Sequence, residues 1–218
     1  MTPPYDAEPG MARLAAQVRG IGSRPCALPP LLALTDPQRT PDPLALAASL
    51  PSGSALLYRH FGAADRFETG AELAEMARAR GLVLLVSADR ELADRIGAHG
   101  IHWPERLLGE ACRRRVRGDR HLFTAAAHTP RGILRAGAAG IDAVLYSPVF
   151  PSLSPSAGRA KGIWPAAATA QMADIPVYAL GGVDTGTVNR LRKLGFSGVA
   201  CVGATAVNAI RSAAPTRT

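Results

Sequence analysis

Between residues 31 and 214 the chain alternates eight times between a short apolar run and a stretch with helical spacing. The runs that read as strands are 31–35, 55–60, 82–88, 100–103, 121–127, 142–150, 175–180 and 198–202. The stretches that read as helices are 41–50, 68–81, 89–100, 104–118, 129–140, 164–173, a segment capped by Asp184 or Thr185, and 204–214. Prolines stand at the start of several helices, and Gly81, Gly140 and Gly195 stop others. Strand followed by helix, repeated with short turns, implies parallel strands with helices outside them. Eight such units predict an α/β fold, a single-domain (β/α)8 TIM barrel over 31–218. Residues 1–30 are Pro-rich and read as an irregular N-terminal lead-in with one short helix over 11–18. The alternative is an open doubly wound sheet, but that fold usually carries a GxGxxG after its first strand, which is absent here.

Charge bears on the ligand. The 218 residues include 25 basic and 17 acidic side chains, a surplus of +8 that suits a small anionic substrate. The arginines Arg113, Arg114, Arg115 and Arg117 spread around a helix without interleaved aromatics, so nucleic acid is not expected as a partner. Three scattered cysteines without a CxxC predict neither disulfides nor zinc. No apolar run reaches membrane-spanning length, and the first twenty residues lack the apolar core of a secretory signal. A cytoplasmic protein is expected, with no membrane partner and with homo-oligomerisation left open.

In a barrel of this class the working residues stand at the C-terminal ends of the strands. After the seventh and eighth strands, Gly181, Gly182, Gly203 and Ala204 form two small-residue turns whose N–H groups suit a phosphate; the other reading is tight turns only. Arg59, at the end of the second strand, is either a cation facing the mouth or the partner of a nearby carboxylate. Asp89 caps a helix, ligates a metal or orients Arg90. His102 and His128, at neighbouring strand ends, are candidate proton carriers, against the reading that both are structural. The one long loop, 151–162, offers Ser152, Ser154, Ser156, Arg159 and Lys161; such loops often touch ligands.

Several pieces in order carry a family resemblance: Asp89-Arg90, GAHGIHW (97–103), AAAH (125–128), SPVFPSLSP (147–155), ALGGV (179–183) and CVGAT (201–205). They resemble GADGVHLGQ, VSAH, GPVFPTPTK, AIGGI and VVSAI of the thiamine phosphate synthase/TenI family, and residues 31–44 resemble its first βα unit. The resemblance implies a (β/α)8 barrel acting on a thiazole phosphate in thiamin biosynthesis. The departures fall where the synthase handles pyrophosphate and Mg²⁺. QLREK becomes Leu57-Tyr58-Arg59-His60-Phe61, Ala88 replaces an asparagine, Leu107 an aspartate, Ala126 a serine and Pro155 a lysine. The reading this favours is a TenI-like thiazole tautomerase that moves a proton through His128 and His102 and needs no cofactor. The alternative is the synthase itself, coupling a pyrimidine pyrophosphate to thiazole phosphate with Mg²⁺. Asp89 would then serve the metal, and Arg159 and Lys161 would stand in for lost cations. A non-catalytic phosphate-ligand sensor is the third reading. In all three, Arg59, Ser152 and Ser154 are the expected substrate contacts.

Overall fold

The computed structural model describes residues 7–22, 24–152 and 158–202. Its eight strands are β1 (Leu31–Leu34), β2 (Ala55–Tyr58), β3 (Val83–Ser87), β4 (Gly100–Trp103), β5 (Leu122–Ala127), β6 (Ala143–Tyr146), β7 (Val177–Leu180) and β8 (Gly198–Cys201). Each pairs in parallel with the next, and β8 pairs with β1, so the sheet closes into a barrel in chain order. Closure leaves no sheet edge exposed, and both faces of every strand are buried. That explains the near-continuous apolar runs in the sequence. Alternate residues divide between two cores. Leu32, Leu34, Leu57, Leu85, Leu145 and Tyr178 fill the barrel interior. Leu31, Leu56, Leu84, Ile101, Phe123 and Val144 face outward, into the shell of helices.

That shell consists of α1 (Ala7–Val18), α2 (Pro43–Ser49), α3 (Arg66–Arg80), α4 (Arg90–Ile96), α5 (Leu108–Val116), α6 (Pro130–Ala138) and α7 (Ile163–Met172). Side chains set several starts. Asp42 accepts the N–H groups of Leu44 and Ala45, Asp89 that of Leu92, and Thr129 that of Gly132.

Two departures from the expected elements have local causes. The short helix expected over 11–18 starts earlier, as a twelve-residue helix, α1. Met11, Leu14 and Val18, spaced along one helical face, are buried in the outer core. The helix lies against α2, β1 and a 3₁₀ turn at Val188–Leu191, and Gln17 donates to the Thr185 carbonyl at 3.2 Å. The helix expected after β7 is reduced to that 3₁₀ turn. Asp184 Oδ1 accepts from the N–H groups of Gly186 and Thr187, both at 2.8 Å, and the Thr187 hydroxyl reaches back to the Gly182 carbonyl at 2.9 Å. These side chains satisfy the backbone in a compact turn that competes with helix. The expected helix over 204–214 lies outside the described residues. The three cysteines are unbridged, and among the described residues no helix is long and apolar enough to cross a membrane.

Candidate active site

The inward register places the strand-end residues. Leu57 belongs to the interior, so Arg59, two residues on, continues that face at the barrel mouth. Its Nε donates to the Thr35 carbonyl at 2.7 Å, and a terminal nitrogen donates to Asp36 Oδ2 at 3.1 Å. Asp36 also pairs with Arg39 at 2.9 Å and takes the N–H groups of Gln38 and Arg39 on its other oxygen. Burial pushes the Asp36 carboxyl up, but the Arg39 hydrogen bonds overcome it and hold the group below its ordinary value. Arg59 is therefore the partner of a carboxylate, one of the two readings its position allowed. Two guanidinium groups on one carboxylate leave one surplus positive charge there.

His102 lies inside the barrel, buried, with Nδ1 3.0 Å from the Thr124 hydroxyl. Burial, helped by Arg59, drops its pKa to about 3, so the imidazole is neutral at working pH. A group so far from neutrality is poorly matched to exchanging protons at pH 7. The expectation that His102 carries protons does not fit this environment.

His128 stands just beyond β5 and is exposed. Its backbone N–H donates to Glu105 Oε2 at 3.1 Å. Its ring Nδ1 lies 3.3 Å from both the carbonyl and the hydroxyl oxygen of Ser147, the first residue after β6. The Lys161 ammonium donates to the same Ser147 carbonyl at 2.6 Å and sits 5.0 Å from the centre of the Tyr146 ring. The end of the long loop is laid back along the strand end, with the N–H groups of Lys161 and Gly162 bonded to the Pro148 and Val149 carbonyls. Burial lowers the Lys161 pKa, and Glu105 opposes that shift. His128, Ser147 and Lys161 thus form one polar cluster at the mouth.

At the end of β7, Gly181 and Gly182 have φ of 93° and 64°, a region that favours glycine. Their carbonyls accept from the Phe150 N–H and the Thr187 hydroxyl. A Cβ on Gly181 would lie 2.8 Å from Pro148 Cα, and one on Gly182 would overlap the Pro151 carbonyl. The loop after β6 therefore requires these glycines whatever the turn binds. Ser152 belongs to that loop, at intermediate exposure. Gly203, Ala204 and Ser154 lie outside the described residues.

Among the described residues, the candidate metal carboxylates Asp89 and Glu105 are already engaged. Asp89 accepts the Leu92 N–H on Oδ1, while its Oδ2 lies 3.2 Å from Arg66 Nε and 3.5 Å from His60 Nε2. Glu105 takes the His128 N–H on one oxygen and faces Arg135 at 3.9 Å with the other. Leu107 packs against the outer core. Among the described residues no three His, Cys, Asp or Glu side chains gather as a metal site. These residues do not fit a carboxylate-held Mg²⁺.

Sequence reasoning missed Ser147 and Asp36 as parts of the mouth and gave Lys161, with Arg159, as a stand-in for lost cations under the synthase alternative. The DPQR turn after β1 was a usable signal for Asp36, since Asp readily bonds the N–H groups that follow it. Nothing in the spacing of residues 151–162 shows that the loop folds back to bring Lys161 onto Ser147.

The sequence model of one protein family, described as thiamine monophosphate synthase, matches residues 31–205, the whole of the barrel just described. The chain belongs to the thiamine monophosphate synthase family. Among similar proteins, the thiamine-phosphate synthase of Chromobacterium violaceum is 35% identical over 164 residues, covering 73% of this chain and 78% of that one. A putative thiamine-phosphate synthase of Geobacter sulfurreducens is 34% identical over 140 residues, 61% of this chain and 66% of its own length. The thiamine-phosphate synthase of Methylococcus capsulatus is 34% identical over 144 residues, 65% of this chain and 64% of its own. The chain thus spans just under two thirds of the latter two relatives. A thiamine phosphate pyrophosphorylase from Pyrococcus furiosus superposes with a TM-score of 0.69 at 20% identity, over 79% of this chain and 84% of that one, a likeness of fold.

These relatives correct the tautomerase reading, because several curated proteins similar to this thiamine monophosphate synthase family member are named as thiamine-phosphate synthases, one of them as putative. That reading rested on cations missing from their motif positions. A motif position is not a position in space, and Lys161 brings an ammonium to the mouth from six residues beyond Pro155.

Proposed function

We propose that this protein is a thiamine-phosphate synthase, joining a pyrimidine pyrophosphate to a thiazole phosphate with release of pyrophosphate. The observation that carries the reading is the similarity to named synthases across the barrel, 35% identity over 164 residues in one case. The site chemistry is compatible with it. The new carbon–nitrogen bond uses the lone pair of the thiazole nitrogen. The bond to the pyrophosphate breaks, and that group leaves with the electron pair. Charge accumulates on the leaving oxygens, so a fixed cation at the mouth lowers the barrier. Lys161 is the cation in the cluster with His128 and Ser147. The thiazole phosphate is assigned to the turn at Gly181 and Gly182, with Gly203 and Ala204, outside the described residues, as the other proposed contacts. Arg59, Ser152 and Ser154 remain the proposed substrate contacts, with Arg59 steered by Asp36. In this reaction His128 acts by hydrogen bonding and not as a proton carrier.

Mg²⁺, when bound in a synthase of this kind, neutralises charge on pyrophosphate. Among the described residues, the mouth does not supply its usual carboxylates. The test is turnover by the purified protein with both substrates, followed by thiamine phosphate and pyrophosphate. Equal amounts of the two products support the reading. A thiazole phosphate that is only isomerised, or substrates that bind without reacting, would overturn it.

A further inference from the structure

We propose that the pyrophosphate group is held by the Lys161 ammonium beside His128 and Ser147, without a carboxylate-bound metal ion. The inference deepens the synthase reading and rests on it. Among the described residues, Asp36, Asp89 and Glu105 stand just beyond the ends of β1, β3 and β4, and each is engaged. Asp36 holds Arg39 and Arg59. Asp89 caps α4 and faces Arg66 and His60. Glu105 holds the His128 N–H. Mg²⁺ demands near-octahedral oxygen ligands and sheds water reluctantly, so it competes poorly for oxygens already bonded to cations and N–H groups. Recruiting Asp89 would strip the cap from α4 and leave Arg66 and His60 facing no anion there.

Lys161 is built differently. One of its three N–H donors is fixed on the Ser147 carbonyl at 2.6 Å, and two remain. The Tyr146 ring, 5.0 Å away, favours the charged form through its electron-rich face. Backbone bonds from Lys161 to Pro148 and from Gly162 to Val149 fix the stem of the side chain. A preorganised ammonium in a partly buried setting interacts with phosphate oxygens more strongly than a free surface lysine. When the substrate's carbon–oxygen bond breaks, the electron pair stays on the pyrophosphate that Lys161 contacts. The thiazole nitrogen supplies the pair for the new bond, and no oxidant or proton donor is needed.

The experiment is calorimetric titration of the full chain with inorganic pyrophosphate in EDTA and then with Mg²⁺, using wild type, Lys161→Met and Lys161→Arg. Near-ultraviolet circular dichroism checks the fold of each. Wild type should bind in EDTA, with less than about a tenfold gain from Mg²⁺. Lys161→Met should weaken binding by about 10- to 100-fold, the range of a charged hydrogen bond. Lys161→Arg should recover most of the affinity. Binding that appears only with Mg²⁺ overturns the proposal, as does a folded Lys161→Met protein that binds like wild type. If Lys161→Met fails to fold, the EDTA comparison and Lys161→Arg still decide. Lys161-dependent binding of pyrophosphate without any coupling activity would leave this site standing and overturn the synthase reading instead.

Discussion

Two residues a single strand apart, His102 and His128, show how environment decides what a side chain can do. The sequence presents both as histidines at strand ends; only the barrel register separates them. His102 shares the interior with Thr124, while His128 emerges beyond β5. The cost of charging His102 makes a stability prediction with a definite sign. Its folded pKa, about 3, lies below the ordinary 6.5, so the unfolded chain binds the proton more readily. The stabilising effect of the neutral folded state is fully present above pH 6.5 and is lost as pH falls from there toward 3. The slope is about 1.4 kcal/mol per pH unit, so moving from pH 7 to 5 should remove about 2 kcal/mol. Urea unfolding of wild type and His102→Asn at both pH values checks this, and the variant should show the smaller loss. An equal loss in the two proteins would place the acid sensitivity elsewhere. Gly182 carries a different lesson. Any side chain there meets the Pro151 carbonyl before it meets a ligand, so such a variant reports on the loop and not on phosphate binding.

At the scale of elements, the strands were readable because a closed parallel barrel buries both faces, which leaves apolar runs that periodicity detects directly. GIHW at 100–103 agrees with β4 residue for residue. Where runs such as 142–150 outlast the ladder, the excess is the loop that packs against Gly181 and Gly182. Residues were less readable wherever side chains, and not periodicity, shaped the backbone. The Asp184–Thr187 turn shortens a helix, and the fold-back that seats Lys161 depends on backbone bonds to Pro148 and Val149. The candidate site suffered most, because cations missing from motif positions weigh more in a sequence than Arg159 and Lys161, whose place in space it does not show. Helix α1 is longer than the short helix expected over 11–18, starting at Ala7. Prolines around it read as irregular chain, while Met11, Leu14 and Val18 form a buried stripe. Leu14 is fully buried, so Leu14→Ala should destabilise the protein by about 2–5 kcal/mol in chemical unfolding. A change within about 0.5 kcal/mol, the scale of an ordinary surface substitution, would mean that α1 is not part of the core in solution.

For the whole molecule, the closed barrel gathers residues far apart in sequence at one mouth, at the C-terminal ends of its strands. The charge surplus of +8 favours the approach of phosphorylated substrates. Local chemistry then divides the mouth. The β5 and β6 ends carry Lys161, His128 and Ser147, and the β7 end carries the paired glycines. The synthase proposal requires two anionic groups to be held at these two places at once. The most direct measurement is a crystal structure of the full chain grown in EDTA with inorganic pyrophosphate and thiazole phosphate together. The account predicts pyrophosphate against Lys161 and His128, and the thiazole phosphate group at the Gly181–Gly182 turn. Pyrophosphate held instead through a metal ion on Asp89, or a thiazole phosphate bound away from that turn, would contradict it.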